Sequence, residues 1–149
     1  MSEHPVALVT GAATGIGAAC ARRLSAEGFR VAVHYRSSAE KAQKLLSELP
    51  HAFGLQADLT DESEIDGLIK EIKSEAGRVD VLVNNAGALL SGFDVAPTGL
   101  EMTLATNLVG PMRLTASLMP RLRAGDRSRI IWVSSGGMYA KKLHLGDLE

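Results

Sequence analysis

The chain has 149 residues, enough for one domain with a sizeable core, and its 16 basic and 17 acidic residues nearly cancel, which argues against nucleic acid or a membrane surface as partner. A single cysteine, Cys20, excludes an internal disulfide framework and fits a reducing compartment; in its helix it reads as a small buried apolar residue. No apolar run reaches the length of a membrane span, and the N-terminus has an acid and a proline where a signal peptide has basic then apolar residues, so a cytoplasmic protein is expected.

The run Val6-Ala7-Leu8-Val9 has the length and β-branched content of a buried strand. It leads into Thr10-Gly11-Ala12-Ala13-Thr14-Gly15-Ile16-Gly17, and helical spacing begins at Ala18. Gly28 stops that helix, and Phe29 to Tyr35 reads as a second strand. Ser37-Ser38 is placed to cap a helix whose Ala42, Leu45, Leu46 and Leu49 share a face and which ends at Pro50. A third strand, His51 to Ala57, precedes Asp58-Leu59. Thr60 or Asp61 is then placed to cap a helix carrying Ile65, Leu68, Ile69 and Ile72, which stops at Gly77. Val79 to Val83 is the fourth strand and runs into Asn84-Asn85-Ala86-Gly87; a loop with glycine and proline follows, from Ala88 to Gly99. A long helix from about Leu100 to Leu122, with a bend predicted at Pro111, and a fifth strand, Arg129 to Val133, complete the pattern. Such alternation implies right-handed crossovers and a doubly wound parallel sheet of order 3-2-1-4-5, with helices on both faces and the ligand at the carboxyl ends of the strands.

Every unusual polar cluster falls at such an end. The glycines of the first turn tolerate φ > 0 and let a ligand approach the backbone, and the helix start after them offers free N–H groups to a pyrophosphate. A P-loop is excluded, because no Lys-Ser or Lys-Thr pair follows the last glycine. After strand two, a sheet that prefers NAD carries an acid for the ribose hydroxyls; here Arg36, with its fork of donors, and Ser37 suit a 2′-phosphate. The expected cofactor is therefore NADP(H), with NAD(H) as the alternative. Asp58-Leu59 is placed for the adenine amino edge, or is only the acid at a helix entry. The two amides of Asn84-Asn85, with Ala86 and Gly87 lacking bulk, suit a backbone passing a ribose and amides tying strands four and five.

These motifs resemble the classical short-chain dehydrogenase/reductase family: TGAATGIG at Thr10 to Gly17, Asp58, and NNAG at Asn84 to Gly87. The resemblance implies a Rossmann-like, three-layer αβα NAD(P)-binding domain over residues 1–149, C-terminally incomplete in that the family's last two strands are missing. It also implies cofactor contacts from Gly11, Thr14, Gly15, Ile16, Gly17, Arg36, Ser37, Asp58, Leu59, Asn84, Ala86 and Gly87. Asn107 corresponds to the family's helix-borne catalytic Asn, which holds a water in a proton relay. Ser135 corresponds to its catalytic Ser, which hydrogen-bonds the substrate oxygen; Ser134 is expected to point to the other side of the strand end. The activity implied is hydride transfer between the nicotinamide and a small carbonyl or alcohol substrate. The state implied is a homo-oligomer, dimer or tetramer.

The family's acid/base pair, a Tyr with a Lys four residues later, is not matched. Tyr139 is followed at that spacing by Leu143, Lys141 and Lys142 stand elsewhere, and Tyr139 is too near Ser135. Met138 to Glu149 resembles the extended loop of a subset of the family, and the expectation is that Tyr and Lys lie beyond Glu149 in a longer native chain, the present residues alone having negligible turnover. Strand five is then an edge, and Leu104, Leu108 and Met112 lack a packing partner, which predicts poor solubility or pairing. Two rival readings are a catalytically inactive NADP(H)-binding regulatory or scaffold protein and another doubly wound enzyme such as a methyltransferase. The latter gives the NNAG cluster no purpose.

Overall fold

The computed structural model describes residues 4–137. Strand β1 (Val6–Val9) is followed by α1 (Gly15–Ala26), β2 (Arg30–Tyr35), α2 (Ala39–Glu48), β3 (Phe53–Gln56), α3 (Glu62–Glu75) and β4 (Val81–Asn84). A helical stretch then runs in three pieces, α4 (Met102–Leu104), a π-helical segment (Ala105–Val109) and α5 (Gly110–Arg123), before β5 (Arg129–Trp132). All strand pairs are parallel and the sheet order is β3-β2-β1-β4-β5, the doubly wound order expected from the sequence.

The centre of the sheet is β1, with Ala7 in register with Val31 on one side and Val81 on the other. Side chains alternate across a strand. Leu8 therefore meets Ile65, Leu68 and Ile72 of α3 and Leu114 and Leu118 of α5, whereas Ala7 and Val9 face Ala18 and Ala21 of α1 and Ala42 and Leu45 of α2. Both faces are covered, which is why β1 reads as an unbroken apolar run. Cys20 is half-buried at the edge of the second cluster.

Local chemistry sets the helix ends. Asp61, not Thr60, caps α3, its carboxylate accepting the N–H groups of Ser63 at 2.8 Å and Glu64 at 3.3 Å. Ser38 stands at the N-cap of α2 but makes no capping bond with its side chain, so the hydroxyl predicted to cap does not do so.

Ahead of Pro111, where a bend was predicted, the helical stretch has a widened turn. A proline in an α-helix lacks the N–H for the carbonyl four residues back and its ring crowds that carbonyl, here that of Asn107. Widening to π geometry over Ala105–Val109 relieves the conflict, and the Gly110 N–H bonds the Ala105 carbonyl five residues back. Gly110 is needed here for closeness: a Cβ on it would lie 2.2 Å from the Leu59 carbonyl oxygen.

On β5 the outcome is the exposure expected. All four of its residues are exposed, as is Val133 after it, and Leu104, Leu108 and Met112 on the helical stretch are about half exposed. Among the described residues no helix is long and apolar enough to cross a membrane.

Candidate functional site

The carboxyl ends of the strands open onto a cleft in two parts. One, of about 380 Å³, lies over β1, β2 and β3; the other, of about 1010 Å³, lies over β4 and β5, and Ile16 and Asn85 to Ala88 line both. The first holds Gly11, Thr14, Gly15, Ile16, Arg36, Asp58, Leu59, Ala86 and Gly87. The second holds Asn84, Asn107 and Ser135, together with Ser134, which was expected on the other side. Of the residues singled out from sequence, Gly17 and Ser37 line neither part.

The turn after β1 is held from two sides. The Thr10 hydroxyl accepts the N–H groups of Asn85 and Ala86, both at 2.9 Å, and donates to the Val83 carbonyl at 3.3 Å. The Asn85 amide donates to the carbonyls of Thr10 at 2.9 Å and Gly11 at 3.2 Å. Gly11 and Gly15 have φ of 61° and 54°, in the left-handed region. Gly17 is buried beneath the turn, where a Cβ would lie 2.3 Å from the Gly11 carbonyl oxygen. At the start of α1, Thr14 makes no capping bond with its side chain, the first turn carries no acid, and Thr14, Gly15 and Ile16 border the cleft. The helix therefore presents uncapped N–H groups and the positive end of its dipole to the opening. Ile16 is 63% exposed there, an apolar side chain at the opening.

On the β2 side, Arg36 is more than half exposed and its Nη1 lies 3.8 Å from Asp58 Oδ2, while Ser37 is exposed outside the cleft. Asp58 does the work of a turn as well: its Oδ1 accepts from the Thr60 N–H at 2.9 Å and hydroxyl at 2.7 Å. His34, which the alternation of β2 hides as an ordinary inward residue, is buried between the two loops. Its Nδ1 accepts the Gly11 N–H at 3.2 Å and its Nε2 meets the Ala57 carbonyl at 3.0 Å. Burial pushes its pKa below the usual histidine value, against the opposing pull of the Ala57 carbonyl and Asp58.

The amides after β4 do not tie it to β5 as expected. Asn85 reaches back to β1, and Asn84 Nδ2 donates to Thr115 Oγ1 of α5 at 3.0 Å; the tie to β5 is the backbone bond from Val133 N–H to the Asn84 carbonyl at 2.9 Å. Gly87 is small for a neighbour, since a Cβ would lie 3.2 Å from Asn107 Oδ1. Asn107, in the π-helical segment, clamps this loop: its Oδ1 accepts the Ala88 N–H at 2.7 Å and its Nδ2 donates to the Ala88 carbonyl at 2.8 Å. The Ser135 hydroxyl accepts the Gly137 N–H at 3.2 Å, so it too has a local turn bond. Tyr139, Lys141, Lys142 and Leu143, and the loop Met138 to Glu149 as a whole, lie outside the described residues. Among the described residues no group of three or more His, Cys, Asp or Glu is placed to hold a metal ion.

Comparison with known proteins points one way. The family model for short chain dehydrogenase matches residues 5–143. The 3-oxoacyl-[acyl-carrier-protein] reductase FabG of Staphylococcus aureus is 37% identical over 135 residues, covering 87% of this chain and 55% of that protein. Thus the chain spans about half the length of the curated relatives it matches. Landomycin C-6 ketoreductase LanV, solved with bound NADP and rabelomycin, superposes with a TM-score of 0.80 at 33% identity over 93% of this chain and 60% of that one. A short chain dehydrogenase from Burkholderia cenocepacia in complex with NADP gives 0.78 at 33% identity, covering 89% of this chain and 56% of that one.

Proposed function

Because the chain belongs to the short-chain dehydrogenase/reductase family, we propose that it binds NADP(H) in the two-part cleft and serves hydride transfer between the nicotinamide and a carbonyl or alcohol carbon. The observation that carries this reading is the start of α1: an uncapped, acid-free helix N-terminus bordered by two glycines of positive φ, opening onto the cleft. Such a surface fits a pyrophosphate and repels no part of it.

The remaining groups fit the rest of a dinucleotide. Arg36 stands at the end of the cleft where an adenosine 2′-phosphate would lie, with Ser37 assigned beside it as a second donor. Asp58 and Leu59 bound the adenine end, and Asn84, Ala86 and Gly87 form the wall past the ribose at the junction of the two parts. Several structural neighbours were solved with NADP bound, and the basic residue after β2 supports the same preference here.

When bound, the cofactor supplies the hydride or accepts it. In this assignment Ser135, on the wall of the larger part, accepts the Gly137 N–H with its hydroxyl and donates the hydroxyl proton to a substrate oxygen, which it holds in place. Asn107 fixes the loop at Ala88 with its amide and is assigned the water of the proton relay. A cytoplasmic homo-oligomer, dimer or tetramer, completes the reading, and the half-exposed Leu104, Leu108 and Met112 support the pairing.

Calorimetric titration tests it. NADP⁺ binds with one site per chain and more tightly than NAD⁺. If neither nucleotide gives heat of binding, or S-adenosylmethionine binds instead, the assignment falls.

A further inference from the structure

His34 is 2% exposed, yet it borders the smaller part of the cleft. One of its ring nitrogens faces a donor and the other an acceptor: the Gly11 N–H at 3.2 Å from Nδ1 and the Ala57 carbonyl at 3.0 Å from Nε2. A backbone N–H only donates and a carbonyl only accepts. Both bonds therefore exist together in a single form of the ring, the neutral imidazole with its proton on Nε2. In that form one side chain ties the turn after β1 to the loop after β3, across the floor of the cleft. The backbone adds a parallel tie, from the Ala12 N–H to the His34 carbonyl at 2.8 Å.

We propose that His34 is a positioning residue for the glycine turn: it holds Gly11 in place through Nδ1, and a proton taken up on Nδ1 sets two donors face to face, opens the turn and lowers the affinity of the cleft for a dinucleotide. This rests on the reading of the cleft as a dinucleotide site. Gly11 is held through its carbonyl by Asn85 and through its N–H by His34. Loss of the second bond frees the peptide on which the left-handed geometry of the turn depends.

The charged groups around the ring are few. Asp58 and Arg36 stand at the mouth of the cleft, 3.8 Å from each other, and from α3 Glu64 accepts the Asp58 N–H at 2.6 Å. Arg113 of α5 is engaged with Glu62 at 2.9 Å, and β1 and its turn bring no charge. Burial outweighs Asp58 and holds the ring's pKa below 6.5. The cradle is thus intact at neutral pH and loosens only in acid, as the pH falls through that lowered value.

The test is the binding of NADP⁺ by calorimetry from about pH 8 to about pH 5, for the unaltered protein and for His34→Gln, whose amide has an acceptor and a donor but takes up no proton in this range. Titration of the nucleotide's own 2′-phosphate affects both and cancels in the difference. The expected result is an acid limb in the unaltered protein that the variant lacks, approaching about tenfold per pH unit, the limit for one proton. Parallel profiles overturn the role of His34 while leaving the cleft a dinucleotide site. No NADP⁺ binding at neutral pH overturns both. Nitrogen-15 NMR of the unaltered protein gives a second check that needs no variant: at neutral pH the proton resides on Nε2 of His34, and a proton on Nδ1 overturns the proposal.

Discussion

Arg36 combines a full charge with a loose attachment. Its contact with Asp58 is long, at 3.8 Å, and its side chain is 57% exposed, so the guanidinium is free to turn onto a phosphate. Arg36→Ala is expected to weaken NADP⁺ binding roughly ten- to a hundredfold, the worth of one charge-assisted hydrogen bond, and to leave NAD⁺ binding nearly unchanged. Equal losses for the two nucleotides in parallel titrations would remove the 2′-phosphate from this residue. Gly17 is confined by its neighbours: a Cβ would lie 2.3 Å from the Gly11 carbonyl oxygen and 2.6 Å from Asn85 Nδ2. Gly17→Ala should therefore cost about 1–3 kcal/mol in urea unfolding and weaken NADP⁺ binding as well, because the atoms that must shift belong to the turn. Loss of stability with undiminished affinity would separate Gly17 from the cradle. The glycines and Asn107 stood out in the sequence because their residue types are unfavourable in a helix or a strand end unless the chain needs them, and Arg36 because it stands where a sheet that prefers NAD carries an acid. His34 was not, since an inward residue at the end of a strand reads as core, and its two partners come from residues 11 and 57, which no local pattern joins.

At the scale of the element, α3 shows how a cap carries a pH dependence. Asp61 accepts two N–H groups and the Ser63 hydroxyl, and its carboxyl is held below the usual 3.8, chiefly by the bonds to Ser63. A carboxylate with a lowered pKa stabilises the fold above its unfolded value and loses that contribution as the pH falls through its folded value. Asp61→Ala should thus lower the melting temperature at neutral pH, and the gap should close below pH 3.8; a gap independent of pH would show that the helix does not use the charge. The element order, the parallel pairing and the apolar helix faces were all readable from spacing, because each records a strong preference repeated over many residues. The π-helical segment was not. Its apolar spacing is that of an ordinary helix, and its causes are Pro111 further along and the Leu59 carbonyl against which Gly110 packs. The amides at the end of β4 were misread for a similar reason: sequence shows that Asn84 and Asn85 stand at a strand's end but not that they diverge, one to α5 and one to the turn after β1.

For the whole molecule, the edge strand β5 differs from the four other strands in leaving its apolar side chains open. Ile130, Ile131, Trp132 and Val133 are 36–46% exposed, and Leu104, Leu108 and Met112 are about half exposed. Exposed strand edges and apolar faces favour association. Light scattering of the 149-residue chain should rise steeply with concentration, and Ile131→Lys should reduce that rise without lowering the melting temperature; scattering unchanged by the substitution would place the sticky surface elsewhere. The wiring of the glycine turn has a temporal consequence too. Thr10 and Gly11 are held by Asn85, a residue 74 or 75 positions downstream, and β1 finds its second neighbour only in β4. A chain emerging from the ribosome has its glycine sequence from the start but no cradle until β4 has docked. Under the proposed function, a nucleotide would recognise the assembled sheet and not its early halves, and its binding would act as a latch on the longest-range strand pairing in the fold.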